Sequence, residues 1–508
     1  MAPPCARRAI DTPSTPVAAM SSTPPPLPSP APDPRLGCEL LPHAIAQRLR
    51  LAVRRFRAPP LPDSLEEARG RGTATALATA IERARLALAA GSAPGRDIRA
   101  LFLDALARHI AEAMRPEHGD AAFQAMVLRH RSPLVREFAS LNAHAERDRR
   151  RIRSGVNALA HPEKLQRQPP GQIRDTLQRA QAASTAGDWS SVADALLDLM
   201  GLPGIRDDPV LFRSLERLVF DDAFTRLRRI DALFKLGEVE RYRSLWARQG
   251  PAAGSELATS TGTGAQQRGD AVEALAAAAL QALADRLNAQ AEAAPDAPRY
   301  RIATSLRVPS SLGGDAQGAK SEWDVALLRR HEADQAWDLC LIAEAKASPD
   351  AATTDLPRLL RGLRVLARAD LDTDYPFAAH GGEVRLRGAS LAALPTEEAD
   401  LARAVIYCSD GEAERAPRPL NAASRMQLLS APASLAVAAR IEDGAAPDPS
   451  RLEPVWHQLL ESPAFGPVLH QYPTLRTVRE LMLHPDDLMA AIQYPAASPV
   501  LRRGSLAP

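Results

Sequence analysis

The chain carries two patterns of apolar residues, one with helical spacing and one with strand spacing. From about Leu40 to Gly250, apolar residues recur at steps of three and four, which is typical of amphipathic helices packed against one another. Examples are LLPHAIAQRLRLAVRRF, DIRALFLDALARHIAEAM and DWSSVADALLDLM. We therefore predict an all-helical domain over residues 37–250, with contacts to a protein partner or substrate as its expected role.

Two segments with few apolar residues flank this helical region. Residues 1–36 are rich in proline, serine and threonine. They cannot bury enough surface to offset the entropy of ordering, so a disordered tail is predicted. Residues 251–268 are rich in glycine, serine and threonine and predict a flexible linker. The sequence leaves open whether Met1 or Met20 is the true start.

Residues 269–508 combine helical and strand-like patterns. An alanine-rich helix from Asp270 to about Ala291 is followed by the strand-like run RYRIATSLRV. Ser321 to Ser348, SEWDVALLRRHEADQAWDLCLIAEAKAS, contains two further apolar runs around a polar turn. A helix (LPRLLRGLRVLARAD), a strand (RAVIYCSD) and C-terminal helices complete the order. The predicted class is α+β, mostly α, in which the helical domain precedes an α/β domain with a small mixed sheet flanked by helices.

The two apolar runs of Ser321 to Ser348 are predicted to form an antiparallel hairpin with its turn near Asp334. In that register Asp324 lies opposite Glu344, and directly opposed side chains have Cβ atoms roughly 4.5–5.5 Å apart. Because side chains alternate along a strand, Lys346 shares the face of Glu344, while Leu341 and Ala343 point the other way. Two acids and a lysine are therefore expected on one face.

Two carboxylates at this separation repel each other unless a cation lies between them. A hard divalent ion suits such a pair, and Mg²⁺ is favoured over Ca²⁺ because it accepts one or two carboxylates and keeps water and substrate phosphate in its shell. A lysine beside the ion would lie next to the water and the phosphate. This is the outline of a site for phosphodiester hydrolysis.

The arrangement of Asp324, Glu344 and Lys346 resembles the PD-(D/E)XK nuclease superfamily, which has the restriction-endonuclease-like fold. The resemblance covers about Arg268 to Glu414, and Trp323 stands where the family usually has proline. It implies a nuclease that acts on DNA more often than RNA and uses Mg²⁺, with Mn²⁺ as a substitute. Asp324, Glu344 and the Ala345 carbonyl would hold the metal, and Lys346 would orient or deprotonate the attacking water.

Other charged residues extend this hypothesis. The family often has a glutamate on the helix before the first strand, and Glu273 stands at that position. Four arginines recur at steps of three and four on the helix after the E-x-K run and could contact a phosphate backbone, namely Arg358, Arg361, Arg364 and Arg368. A solvated helix face explains this row equally well. Beside it, Leu359, Leu360, Leu363 and Leu366 predict the buried stripe of the same helix.

Composition limits the remaining classes. Of the 508 residues 45% are hydrophobic and 4% aromatic, and the net charge is +2, so a nucleic-acid-binding surface would have to be local. The four cysteines show no C-x-x-C spacing, which argues against structural zinc and against a disulfide framework; Cys340 and Cys408 are expected in the core. No apolar run reaches 18 residues and no secretory signal is recognisable, so no membrane span and a cytoplasmic location are expected.

An alternative to catalysis is a degenerate nuclease-like protein that binds nucleic acid or a protein partner. All three catalytic residue types are present, which favours the enzyme. The sequence leaves open endonuclease against exonuclease activity, cleavage specificity and the formation of a homodimer.

Overall fold

The computed structural model describes residues 42–248, 256–291, 297–312, 318–330 and 335–493. Residues 42–248 contain helices throughout, many of which begin at a capping Ser or Asp such as Ser64 and Asp188 or with proline at the first position, as at Pro133. The helices are α1 His43–Leu51, α2 Leu65–Gly70, α3 Thr73–Ala89, α4 Arg96–Ala113, α5 Ala121–Arg131, α6 Pro133–Asn142, α7 Ala145–Ala160, α8 Pro162–Arg167, α9 Gln172–Ala186, α10 Trp189–Gly201, α11 Pro203–Arg206, α12 Pro209–Val219, α13 Asp222–Phe234 and α14 Gly237–Ala247. The predicted helical character of this part is confirmed.

Helix α15, Glu256–Ala291, begins earlier than predicted. The linker prediction for residues 251–268 is therefore wrong over 256–268, whereas 251–255 lie outside the described residues, as does the predicted tail 1–36. The physical reason is that adding a residue to an existing helix is far easier than starting one. The alanine-rich segment after Asp270 is a strong helix former, and the helix extends backwards from it through weaker formers.

One mixed sheet of seven strands follows α15. Its strands are β1 Arg299–Arg307, β2 Glu322–Arg330, β3 Asp338–Ala345, β4 Asp374–Ala379, β5 Gly382–Arg387, β6 Val405–Cys408 and β7 Met482–Leu483, in the spatial order β5-β4-β1-β2-β3-β6-β7. β1 to β3 are antiparallel neighbours, while β6 pairs in parallel with β3 and β7 with β6. The chain is thus a mixed α+β protein, as expected.

The predicted order of helix, three strands, helix and strand is present. Helix α16, Pro349–Leu366, follows β3, and the β4–β5 hairpin lies between α16 and β6 in the chain. Two additions were not predicted: the β4–β5 hairpin, which turns at Gly381 and Gly382 with positive φ angles, and the short strand β7. The sheet is larger than the small one predicted because these pieces extend both of its edges.

Helices cover both faces of the sheet. On one face, α15 packs through Leu280 and Leu283 against β2 and β3 residues such as Val325 and Leu341. On the other face, α16 packs through Leu359, Leu363 and Leu366, and Leu360 is partly buried beside them. The predicted leucine stripe of α16 is therefore confirmed. Cys340 and Cys408 are buried on the α15 side, also as expected.

The remaining helices are α17 Gly388–Ala392, α18 Ala422–Ser430, α19 Pro432–Glu442, α20 Glu453–Glu461, α21 Gly466–Leu469, α22 Gln471–Leu481 and α23 Pro485–Gln493. Their packing crosses the predicted boundary between residues 37–250 and 269–508. Phe102 of α4 packs on Trp456 of α20, with ring centroids 5.2 Å apart, within a core formed by residues from 68 to 127 and from 420 to 469. Helix α1 joins the α15 face of the sheet through Ile45 and Leu49.

Within the described parts of the chain, no helix has the length and apolar character needed to cross a membrane.

Candidate active site

The register of the β2–β3 hairpin brings the two predicted acids together. Val325 pairs with Ala343, and Leu327 pairs with Leu341, so the next opposed pair towards the open end is Asp324 and Glu344, as predicted. The Asp324 Oδ2 atom accepts a hydrogen bond of 2.8 Å from the Ala345 N–H. The register shifts by one residue beyond Leu327, so the predicted pairing holds at the site and changes towards the turn, whose predicted centre at Asp334 lies outside the described residues.

The site lies between the sheet and α16. Glu344 pairs with Tyr407 across the parallel β3–β6 ladder, so the two side chains share one face. Tyr407 belongs to the core on the α16 side, while Ala343 and Leu341 belong to the core on the α15 side, as the alternation predicted. Helix α16 begins just after β3, at the capping residue Ser348, and this short connection places Asp355 above the strand ends.

Lys346 contacts all three acids at this end of the sheet. Its Nζ lies 3.1 Å from Glu344 Oε2, 3.7 Å from Asp324 Oδ2 and 3.6 Å from Asp355 Oδ2. The predicted triad of Asp324, Glu344 and Lys346 is therefore spatially assembled, and Asp355 joins it.

A second lysine, Lys320, was not predicted. Its Nζ donates a hydrogen bond to Glu344 Oε2 and lies 3.4 Å from Asp324 Oδ1. The side chain is 6% exposed, so this ammonium group is buried among the carboxylates. Lys320 lies four residues before Asp324, but a chain bend rather than a regular element brings it to the site, so sequence spacing gave little signal for it.

The Glu344 carboxylate is buried completely, and only one of its oxygens has a partner. Oε2 accepts from both lysines, whereas Oε1 is buried without a hydrogen bond to any of the described residues. The Tyr407 hydroxyl is also buried without a hydrogen bond to any of the described residues. Asp355 Oδ2 is a third buried oxygen of this kind at the site. Unpaired buried oxygens are costly, and three of them at one place leave acceptor and donor capacity for further polar atoms.

Burial and charge shift the proton affinities here. Burial, followed by the neighbouring Asp324 charge, raises the pKa of Glu344 to about 7. For Lys346 the largest single contribution, burial, lowers the pKa, but the charges of Glu344, Asp324 and Asp355 together outweigh it, so the pKa is raised. Burial is also the main cause of the raised pKa of Tyr407, with Asp355 and Glu344 adding to it. Such clustered shifts are typical of functional sites, although structural ion-pair networks produce them too.

Glu273 lies near this group without direct contact to the other acids. Its Oε1 accepts a hydrogen bond of 3.5 Å from Ser305 Oγ, and Ser305 follows Thr304 of β1, which pairs with Val325 of β2. Burial, then the Asp324 charge, raises the Glu273 pKa. Ser305 has φ of +50°, the one positive value for a non-glycine residue within the described ranges. A metal-binding role for Glu273 and for the Ala345 carbonyl stays a prediction.

The predicted arginine row divides into two kinds. Arg361 donates to the Gly318 carbonyl oxygen at 2.9 Å, and Arg364 donates to the Thr396 carbonyl oxygen at 3.2 Å, so these two hold neighbouring loops. Arg358 is exposed on α16. Arg368 is exposed as well, but it follows the end of α16 at Leu366, so it does not continue the helical row.

The oxygens present fit an ion that takes few protein ligands. Among the described residues no group of three or more His, Cys, Asp or Glu side chains is arranged to hold a metal. Asp324 and the unpaired Oε1 of Glu344 suit Mg²⁺, which binds one or two carboxylates and keeps its waters. They do not suit structural zinc or an all-protein calcium cage, which need more ligands from the chain.

Comparison of the chain with family models, with curated proteins and with solved structures found no match.

Proposed function

We propose that the protein is a metal-dependent nuclease that hydrolyses phosphodiester bonds, with DNA favoured over RNA as the substrate by analogy with the resembled superfamily. The observation that carries the proposal is the opposed pair Asp324 and Glu344 at the end of two paired strands, with the Lys346 ammonium group in contact with both. Acids are rare inside strands, and two at adjacent positions need a chemical reason.

The surrounding elements support the same proposal. The order α15, β1, β2, β3, α16, β6 agrees with the order required by the restriction-endonuclease-like fold, apart from the β4–β5 hairpin inserted between α16 and β6. A crossover that contains a helix allows the parallel pairing of β3 with β6. We propose that this part of the chain has that fold. The agreement does not depend on the identity of the acidic residues, so it is a separate argument.

Asp324 and Glu344 would hold Mg²⁺, with Mn²⁺ as a substitute, and the Ala345 carbonyl would join them as the resemblance implies. Bound Mg²⁺ would supply Lewis-acid stabilisation of charge at phosphorus and an acidified water molecule. The raised pKa of Glu344 matters in this context, because a nearby divalent charge favours the ionised carboxylate.

Lys346 would serve as a charged hydrogen-bond donor. Because three carboxylates surround it and its pKa is raised, it stays protonated near neutral pH. Orientation of the attacking water and stabilisation of the phosphate charge therefore fit this side chain better than removal of a proton from the water. The water oxygen would form a new bond to phosphorus and the bond to the leaving alkoxide oxygen would break. The proton that the water loses would end on that alkoxide, which gives a phosphate monoester and an alcohol. Asp355 would keep the Lys346 side chain in place.

Substrate binding would use exposed cations near the site. Arg358 lies one helical turn from Asp355 on α16 and is the best placed of the four arginines to contact a phosphate. Arg361 and Arg364 would act indirectly, since they hold the loops at Gly318 and Thr396.

The test is cleavage of plasmid, linear and single-stranded DNA, and of RNA, by the full chain with Mg²⁺. Asp324→Ala, Glu344→Ala and Lys346→Ala should each lower the rate at least about 100-fold. Glu322→Ala is the matched control: it removes a carboxylate two residues before Asp324 on the same strand, where Glu322 pairs with Arg307 at 3.3 Å and its side chain is 43% exposed. Undiminished cleavage by the Asp324 and Glu344 variants would rule out the site.

A catalytically inactive nuclease-like protein that binds nucleic acid or a protein partner is the second candidate. The Lys320 ammonium group favours it, because it already provides a positive charge in contact with both carboxylates without a metal. Binding of DNA by the full chain in EDTA, with no cleavage in Mg²⁺ or Mn²⁺, would select this candidate.

A further inference from the structure

Lys320 and Lys346 approach the Asp324–Glu344 pair differently. Lys320 Nζ contacts Glu344 Oε2 and Asp324 Oδ1, whereas Lys346 Nζ contacts Glu344 Oε2 and lies nearer Asp324 Oδ2. Lys320 is the more deeply buried of the two, at 6% side-chain exposure against 16%. The two ammonium groups therefore engage opposite oxygens of the Asp324 carboxylate.

The four carboxylate oxygens of Asp324 and Glu344 differ in their hydrogen-bonding partners. Asp324 Oδ2 accepts from the Ala345 N–H, Glu344 Oε2 accepts from both lysines, and Asp324 Oδ1 faces Lys320. Glu344 Oε1 is buried without a hydrogen bond to the described residues. An ion that bridges the two side chains needs one oxygen from each. Glu344 offers Oε1. On Asp324, Oδ2 already accepts a hydrogen bond from the Ala345 N–H, and Oδ1 is the oxygen that Lys320 contacts.

The main chain around Lys320 is fixed to α16. The Lys320 N–H donates to the Arg358 carbonyl oxygen at 3.2 Å, and the Arg361 guanidinium donates to the Gly318 carbonyl oxygen. Gly362 lies directly against Lys320, since an added Cβ there would be 3.0 Å from the Lys320 Cβ. A lysine side chain is a flexible four-carbon stem, so its ammonium group can move while the backbone stays in place.

We infer that Lys320 is an internal counter-cation that holds the Asp324–Glu344 pair in the metal-free protein and must be displaced when a divalent ion bridges the two carboxylates. The inference rests on the proposed function, because it assumes that the pair binds a metal. An ammonium group and a divalent ion within a few ångströms repel each other, so Lys320 lowers the metal affinity of the site. It also removes the repulsion between the acids when no metal is bound.

The experiment is a titration of the metal-free full chain with Mn²⁺. Binding is measured by calorimetry and by loss of the electron paramagnetic resonance signal of free Mn²⁺. Lys320→Met should bind Mn²⁺ at least about 10-fold more tightly than the wild type. Lys346→Met is the matched control, since it removes an ammonium group that contacts the same Glu344 oxygen. Its gain should be several-fold smaller, because Lys346 does not engage Asp324 Oδ1.

The outcomes separate this inference from the proposed function. If the wild type binds Mn²⁺, Glu344→Gln does not, and Lys320→Met gains no more than Lys346→Met, the counter-cation role is wrong and the metal site stands. If neither the wild type nor Lys320→Met binds millimolar Mn²⁺, both proposals fail.

Thermal unfolding gives a second readout that does not depend on activity. In EDTA, Lys320→Met should melt below the wild type, and Mn²⁺ should raise its melting temperature more than that of the wild type. Lys320→Gln and Lys320→Arg keep the test usable if the methionine variant does not fold. The arginine variant retains the charge, so Mn²⁺ affinity equal to that of the glutamine variant would overturn the inference.

Discussion

The two ends of the β2–β3 hairpin contain buried charges arranged in different ways. At the closed end, Asp338 lies between two arginines, 3.4 Å from Arg329 and 3.6 Å from Arg387. At the open end, three carboxylates contact two ammonium groups. Asp338 Oδ1 and Glu344 Oε1 are both buried without a hydrogen bond to the described residues. Among the residues that the structure describes, the two strands therefore carry one cluster with more cations than acids and one with more acids than cations.

This difference separates a structural ion pair from a candidate site. Arginine keeps its proton, so Asp338 has permanent countercharges. At the open end the acids outnumber the cations, and the pKa of Glu344 is raised to about 7, within reach of physiological pH. Burial of charge alone does not indicate function; an excess of one sign with a shifted pKa does so more strongly.

The largest stability effect is expected at the closed end. Asp338→Ala should lower the free energy of unfolding by roughly 3 kcal/mol, because it leaves two partly buried arginines without their shared acid. Urea unfolding measures this loss. Asp443→Ala, which removes a 61% exposed partner of Arg131, should cost less than about 1 kcal/mol.

The Asp338 variant should also bind Mn²⁺ like the wild type. A large loss of Mn²⁺ affinity would mean that the two ends of the hairpin are not independent.

A second prediction concerns pH at the open end. The Glu344 pKa is about 7 in the folded protein against 4.5 for the free side chain, so the folded state holds this proton more tightly. Stability should therefore fall as the pH rises from about 4.5 and reach its full loss above pH 7. The loss is about 3 kcal/mol relative to Glu344→Gln, which has no proton to release.

Urea unfolding of both proteins in EDTA at several pH values measures this difference. Titrating groups that do not interact with Glu344 cancel in the comparison. Parallel stability curves for the wild type and Glu344→Gln from pH 4.5 to 8 would show that the Glu344 pKa is not raised.

The smallest expected effect is at the contact between α16 and Lys320. Gly362→Ala places a Cβ 3.0 Å from Lys320 and from the Trp323 ring. The crowding should outweigh the better helix propensity of alanine and destabilise the protein by about 1 kcal/mol net. Gly269→Ala in α15 is the control, since its Cβ meets nothing within 4 Å and should stabilise the protein by about 0.5–1 kcal/mol. Stabilisation by both substitutions would show that α16 does not press on Lys320.

The sequence predicted the hairpin well because its signals are local. Alternating burial and the polar turn determined which residues of β2 and β3 face each other, and Asp324, Glu344 and Lys346 followed from that register. The β4–β5 hairpin was missed although it carries the same kind of signal, with Phe377, Val384 and Leu386 buried around a Gly-Gly turn.

The rest of the site depends on contacts that no local pattern encodes. Lys320 precedes β2 in an irregular segment, Asp355 arrives through the α16 crossover, and Tyr407 arrives through a parallel pairing more than 60 residues away from Glu344. None of these three residues has a sequence signal that links it to Asp324 or Glu344. The packing of α4 on α20 was unpredictable for the same reason. An amphipathic pattern shows which face of a helix is buried but not which other helix packs against it.

The packing of α4 on α20 limits how far the chain can fold before its synthesis is complete. Phe102 and Trp456 belong to one core, so a nascent chain that has emerged only to residue 250 still displays the apolar surface that the last helices later cover. Closure of this core over such a long chain separation is a slow, aggregation-prone step. Expression of either half alone should therefore yield material that chaperones retain, and a premature stop codon before α20 should be as damaging as one in the middle of the reading frame.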